Sequence, residues 1–434
     1  MTGSTGPAGT TRRWFGHPPG LTILFLTEMW EKFSYFGMRA LLVYYMTKAL
    51  MMPQQDASWV YGLYTGFAYF TPIFGGLLAD RYLGRRRAVI LGGSIMAAGH
   101  FMMAFEGLFY PALATIAIGN GFFLPSLPSQ VRHLYAPGDP RGDSAFSVYY
   151  VGINLGAVLA PLVCGTLGEL YGWHYGFAAA GVGMCLGLAI YVFGGRYLPR
   201  EAGAVQALGP ELRDHEHPLG RRIGLLLAVI GIVVIFRSSY EQIGNTVALW
   251  VDAADRRVGD GWIIPGTWFQ ALNPLLVFTL TPLLLLVWNR RARRGTVTSP
   301  LRRMAFGAFI VALGYVLLAG TALQATAAGT SAHWTWLLLF FVVMTAGELF
   351  ILPTGLAFFG RLAPGALAAT TMALWFSASF AGNLLAGALG SLWSRLEPAN
   401  FFLVTAAVAA VAGVLLRLAD APARRLLGEA ETHH

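Results

Sequence analysis

Glu28, Glu31, Lys32 and Arg39 stand within one apolar run, Arg237 and Glu241 within a second, and Glu348 within a third. Acids and bases placed in this way can exchange a proton, or hold a ligand that carries both charges. In the first run Glu28, Glu31, Lys32, Tyr35 and Arg39 are spaced 3, 1, 3 and 4 residues apart. At 100° per residue they share an arc of about 100° and form a polar stripe roughly 16 Å long on one helix face. Glu28 and Lys32, at i and i+4, have the favourable orientation for a helical ion pair. Helix adhesion alone explains the stripe poorly. Buried ion pairs are weak stabilisers, and small or hydroxyl residues join helices at lower cost. Four acids against three bases leave one excess negative charge in a low-dielectric setting. A proton on one glutamate removes that excess, which is what a proton-coupled carrier requires. The spacing does not say which glutamate carries it.

The elements that must position these groups follow from composition. Of 434 residues, 56% are hydrophobic and 12% charged, against about a quarter charged in soluble domains. A soluble enzyme, a nucleic-acid binder and a disordered scaffold are thereby excluded. The expected fold is an all-α polytopic membrane protein. The length fits about twelve spans. They are read at 21–48, 57–79, 88–109, 112–134, 144–171, 175–195, 223–251, 263–288, 304–323, 334–359, 366–392 and 400–417. Each ionisable group would cost roughly 2.5–3.5 kcal/mol facing lipid at mid-span, so together they must face a protein interior or a wet cavity.

The basic residues set the orientation. With the N-terminus inside, 23 of the 30 Lys and Arg fall in inner loops and tails, 4 in outer loops and 3 within spans. This positive-inside pattern predicts cytoplasmic termini in the cytoplasmic (inner) membrane. It also accounts for the net charge of +9 without nucleic acid. The predicted divisions are a cytoplasmic tail 1–20, a six-helix bundle 21–196, a cytoplasmic linker 197–222, a second bundle 223–418 and a tail 419–434. No cleavable signal peptide is read before the first span. Arg141-Gly142-Asp143 resembles an adhesion tripeptide, but this topology places it inside. Cys164 and Cys185 lie in apolar stretches and imply neither a disulfide framework nor a metal cluster.

The halves repeat one another. Thr71-Pro72 recurs as Thr281-Pro282, and Glu31 as Glu241, both 210 residues on. Gly119-x-x-Phe122-x-Leu124-Pro125 recurs as Gly347-x-x-Phe350-x-Leu352-Pro353 at an offset of 228, and Asn154 as Asn383 at 229. Two parallel six-helix halves around a midplane site are the major facilitator architecture.

The stripe Glu28-Met-Trp-Glu31-Lys32-Phe33-Ser-Tyr35-Phe36-Gly37 also resembles the ExxERFxYYG motif of the proton-dependent oligopeptide transporter family, the peptide branch of the major facilitator superfamily. Other pieces agree along nearly the whole chain. Asp80-Arg81-x-x-Gly84-Arg85-Arg86 resembles the superfamily's loop 2–3 motif. Phe146-x-x-Tyr149-Tyr150-x-x-Ile153-Asn154, Tyr240-Glu241-Gln242-x-Gly244, Trp268-Phe269-Gln270-x-x-Asn273-Pro274 and Gly347-Glu348 with Pro353 resemble the family's spans five, seven, eight and ten. The resemblance implies proton-driven import of di- and tripeptides, with protons and membrane lipid as further partners. No cofactor, metal or nucleic acid is implied, and a monomer is expected.

Proton coupling would fall to Glu28, Glu31 and Lys32, with Glu241 and Arg237 opposite. Peptide contacts would map onto Arg39, Tyr35, Tyr69, Asn154, Asn273, Glu348, Trp375 and Ser379. Gating or structural roles would fall to Asp80, Arg81, Arg85, Pro125 and Pro353. The chemistry is sound on its own terms. A peptide always offers an ammonium, a carboxylate and an amide; Glu348 suits the first, the fork of Arg39 the second, and Asn154 and Asn273 the third.

Two departures stand out. The motif's arginine is Lys32, a point charge in place of a planar fork. The family's lysine before the span-four proline is Leu124. Arg237 is a candidate replacement, which would move the partner of the first-span acids, or the substrate-carboxylate contact, into the other half. The span-two histidine of animal relatives is also missing. His100 is read as a satisfied packing histidine, and His215-x-His217 as solvated. A carrier for a non-peptide solute, an anion or drug-like compound, is the nearest rival. Enzyme or receptor readings lack a nucleophile–base pair, a metal cluster or a sizeable soluble domain.

Overall fold

The computed structural model describes residues 16–135, 139, 141–198, 219–259, 261–294, 298–362 and 368–426. Helices dominate. They are α1 Pro19–Tyr44, α2 Gln54–Leu78, α3 Arg85–Met102, α4 Phe109–Arg132, α5 Arg141–Ala160, α6 Thr166–Leu170 and α7 Trp173–Phe193. The second half holds α8 Leu219–Tyr240, α9 Thr246–Ala253, α10 Trp268–Arg293, α11 Pro300–Ala328, α12 Trp334–Leu362, α13 Ala368–Gly390 and α14 Pro398–Leu426. A wide π turn, Pro161–Gly165, joins α5 to α6, and a tight turn, Glu241–Gly244, links α8 towards α9. Each pair makes one crossing, so the fourteen helices give the expected twelve spans. A two-stranded antiparallel hairpin, β1 Arg257–Val258 and β2 Trp262–Ile263, lies between α9 and α10.

Among the described residues nine helical segments are both long and apolar enough to cross a bilayer. The other three are α1, α2 and α3. Their shortfall is compositional: α1 carries the polar stripe, α2 is rich in Tyr, Gly and hydroxyl residues, and α3 opens on three arginines.

Local sequence sets several ends. Pro19, Pro300 and Pro398 begin helices, where a missing N–H costs nothing. Gly84 at φ 78° turns the chain into α3, and Gly329 at φ 63° ends α11. Two ends differ most from expectation. Span three stops at Met102, before the short turn Glu106–Leu108. The last helix runs beyond 417 to Leu426. Its extension is anchored because buried Asp420 accepts a hydrogen bond from Ser299 and faces Arg417 and Arg424 at 3.5 and 3.4 Å.

Each half has its own apolar interior. One continuous core fills the second half, from Leu225 to Ala423, and two fill the first. The repeat is visible in the packing. A Cβ on Gly119 would meet Gly92 of α3 at 2.6 Å, and one on Gly347 would meet Gly307 of α11 at 2.7 Å. The same glycine-to-backbone approach therefore joins α3 to α4 and α11 to α12. Such close crossings are a general device of membrane helix packing.

On the face bearing the termini, Arg141 stacks over Tyr135 and pairs with Asp139 at 2.7 Å. That hydrogen bonding lowers the Asp139 carboxyl to about 2. Arg141 is thus engaged by its own loop and by the Gly16 carbonyl, to which Nη1 donates at 3.2 Å.

Candidate functional site between the two halves

The stripe of α1 forms as its spacing requires. Lys32 lies 3.3 Å from Glu28 and 2.6 Å from Glu31, and both carboxylates are buried. Both acids are therefore charge-paired within their own helix by the base beside them, although both Glu31 oxygens are buried without a hydrogen-bond partner. Arg237 pairs with neither, so it does not stand in for the absent lysine as their partner. Instead Arg237 reaches Glu241, four residues on in its own half, at 3.2 Å.

Glu241 is the junction. It also receives Arg39 Nη2 from the first half at 2.7 Å. Arg39 Nε donates to the Tyr61 hydroxyl at 2.8 Å. Arg237 lies over the Tyr69 ring, 5.2 Å from its centre. One carboxylate is thus shared by two guanidinium groups from opposite halves. Glu241 is 3% exposed and Arg237 5%, so water screens this cluster little and each charge depends on its partners.

Glu348 forms the second acidic centre. Asn273 Nδ2 donates to it at 2.6 Å and to the Thr345 hydroxyl at 3.1 Å. Tyr240 of α8 and Tyr150 of α5 face it from the two halves. On the opposite side, Tyr35 stacks on Tyr64 with ring centres 6.5 Å apart. The structure therefore brings Arg39, Tyr35, Tyr69, Arg237, Glu241, Asn273 and Glu348 into one zone between the halves. Glu28, Glu31 and Lys32 lie along α1 from it.

Three expected peptide contacts are engaged differently. Asn154 donates to the Tyr150 carbonyl, and the Ser379 hydroxyl donates to the Trp375 carbonyl. Trp375 packs its ring against Phe359, centres 5.1 Å apart, and against Gly355. Pro125 and Pro353 both sit inside helices, Pro125 beside Gly76 of α2. In the loop after α2, Asp80 and Arg85 approach at 3.4 Å, while Arg81 stacks over Tyr82 instead. His100 is buried, but neither ring nitrogen has a hydrogen-bond partner; it packs between α3 and its neighbours without being satisfied. His215 and His217 lie outside the described residues.

Sequence reasoning missed the clasp that joins the halves at the end away from the termini. Lys48 pairs with Asp252 at 2.6 Å, and Arg256 with the same Asp252 at 3.1 Å. Tyr44 donates to the Ala248 carbonyl and Ser58 to Asn245. Gln54 Nε2 donates to the Gly390 carbonyl while its Oε1 accepts from the Ser394 amide. Glu169 accepts from the backbone amides of Gly266 at 2.9 Å and Thr267 at 2.7 Å, so a carboxylate of the first half caps α10 of the second. Trp268 donates to Thr166 and Gln270 to the Ala40 carbonyl. Glu169 escaped notice because it stands at a span end, where an acid is unremarkable. Tyr61 was signalled only by its helical spacing to Tyr64 on α2.

Known proteins share this chain's sequence and fold. The sequence profile of the POT family (PTR2) matches residues 86–203 and 219–403. An uncharacterized transporter, YclF, of Bacillus subtilis (strain 168) is 31% identical, covering 95% of this chain and 96% of its own. The peptide transporter YePEPT of Yersinia enterocolitica is 30% identical over 99% of both. A crystal structure of a peptide transporter POT in complex with sulfate superposes with a TM-score of 0.87 at 29% identity, covering 96% of this chain and 97% of that one. A POT family transporter in complex with 5-aminolevulinic acid gives 0.84 at 25% identity, covering 94% and 98%. This twelve-span membrane protein, built on the major facilitator fold, belongs to the POT family.

Proposed function

We propose that the chain is a proton-coupled symporter that imports di- and tripeptides across the cytoplasmic membrane by alternating access, with its termini in the cytoplasm. The observation that carries this is Glu241, held jointly by Arg39 of one half and Arg237 of the other. A proton on Glu241 cancels the charge that ties the halves together, and a peptide carboxylate can then take up the freed guanidinium of Arg39. Glu348 and Asn273 offer an acceptor for the ammonium and a donor and acceptor for the amide. Glu28, Glu31 and Lys32 supply a second protonation point, and Tyr35 and Tyr69 line the ligand's flank. Trp375 borders a side-chain pocket, while Asn154 and Ser379 reach the ligand once their own backbone contacts are exchanged. One proton entering down 100 mV supplies about 2.3 kcal/mol, roughly fifty-fold accumulation of a zwitterion.

Leu124 favours a second reading, a carrier for a smaller amino-acid-like or anionic solute. The solved relative bound to 5-aminolevulinic acid is consistent with it, since that ligand has both charged ends and no peptide bond. Uptake of labelled dialanine into proteoliposomes under an imposed pH gradient separates the two. Competition by di- and tripeptides but not by amino acids supports peptide transport. Competition by 5-aminolevulinic acid with indifference to tripeptides supports the rival.

A further inference from the structure

An apolar groove of about 320 Å³ lies on the outer flank of the first half, between α2 and α4. Helix geometry creates it. Near the inner ends the two helices touch: a Cβ on Gly75 would meet the Gly121 carbonyl at 2.2 Å, and Thr71 donates to the Ala117 carbonyl. Away from that contact they splay, and small Ala114 and Ala117 leave the space between them unfilled. Leu63, Phe67, Tyr110 and Ile118 form its exposed rims. The floor is Tyr64, whose other face stacks on Tyr35.

We propose that this groove holds one acyl chain of a bilayer phospholipid. The groove is continuous with the bilayer-facing surface of a membrane-spanning chain, so hydrocarbon is its surrounding medium. Water is a poor occupant, because a buried water needs two to four polar partners, and the Thr71 hydroxyl is already committed to the Phe67 and Ala117 carbonyls. A lipid headgroup is a poor occupant for the same reason. From Tyr110 to Ile118 the groove runs about 12 Å along α4 at 1.5 Å per residue, a length suited to part of an extended chain. Tyr110, at the start of α4, is exposed at the level where interfacial aromatics sit. An acyl chain seated there packs behind Tyr64 and braces its stack with Tyr35. The inference rests on the membrane fold and not on peptide transport.

The test uses the full chain in nanodiscs of phosphatidylglycerol containing a trace of the same lipid with a diazirine in mid-chain. Photolabelling mapped by mass spectrometry is expected to show a several-fold excess at 60–71 and 110–118 over Val182 and Leu186, equally bilayer-facing positions on α7. Ala114→Trp fills the groove, and the milder Ala114→Leu partly does; both are expected to cut groove labelling in that order while α7 labelling stays constant. Uniform labelling, or labelling indifferent to both variants, would each overturn the proposal. Dialanine uptake is not part of the readout, so failure of the peptide reading leaves this result intact.

Discussion

At the residue scale the cluster Arg39–Glu241–Arg237 has a single carboxylate between its two bases. Removing one partner of a buried pair costs about 3–5 kcal/mol. Glu241→Gln is therefore expected to abolish gradient-driven uptake while substrate counterflow, which needs no net proton movement, survives. Glu31→Gln and Arg237→Ala should both lose gradient-driven uptake; its retention in both would sink the site assignment. Tyr61→Phe deletes one hydrogen bond to a charged group, about 1.5–3 kcal/mol, and should weaken substrate binding measurably in a proteoliposome competition assay without uncoupling. The polar stripe was legible because charges are conspicuous among apolar residues. The Glu28–Lys32 pair was legible too, from its i,i+4 spacing, but the partner of Arg237 was not, since it could have been any of four acids. Pairing is a property of helix rotation, which composition does not specify.

At the element scale the halves meet along α2 and α13. A Cβ on Gly62 would meet the Asn383 carbonyl at 2.7 Å and Gly387 at 2.7 Å. Phe70 stacks on Phe380 nearby, with centres 4.7 Å apart. Gly62→Leu should force these helices apart at an overpacking cost of about 1–3 kcal/mol. The expected outcome is greater accessibility of cysteines placed along the outer cleft to a membrane-impermeant thiol reagent. Glu169→Ala should act in the same direction by a different route, because it removes both acceptors from the amides that begin α10. Glu169→Gln, which keeps one acceptor oxygen, should restore part of the closure. Span positions could be read from hydropathy and the inside-outside balance of arginine. The capping of α10 by a distant acid could not, because hydrogen bonds to backbone amides leave no pattern in residue types.

At the scale of the whole molecule, the alternating access proposed above requires the Lys48–Asp252 end to open. In a Cys185→Ser background, Lys48→Cys with Asp252→Cys joined by a short bifunctional thiol reagent should stop uptake, and cleaving a reducible linker should restore it. Continued uptake by the cross-linked protein would argue against alternating access. The doubled architecture was legible from paired motifs, and the matched crossings Gly92–Gly119 and Gly307–Gly347 give it a physical basis. The sharing of Glu241 has a further consequence. Two guanidinium groups flank a single carboxylate, so a proton arriving alone would leave two like charges facing one another with no anion between them. Cargo that brings its own carboxylate removes that repulsion. In the proton-coupled cycle proposed above, leakage of protons through an empty carrier would then be opposed by simple charge neutrality.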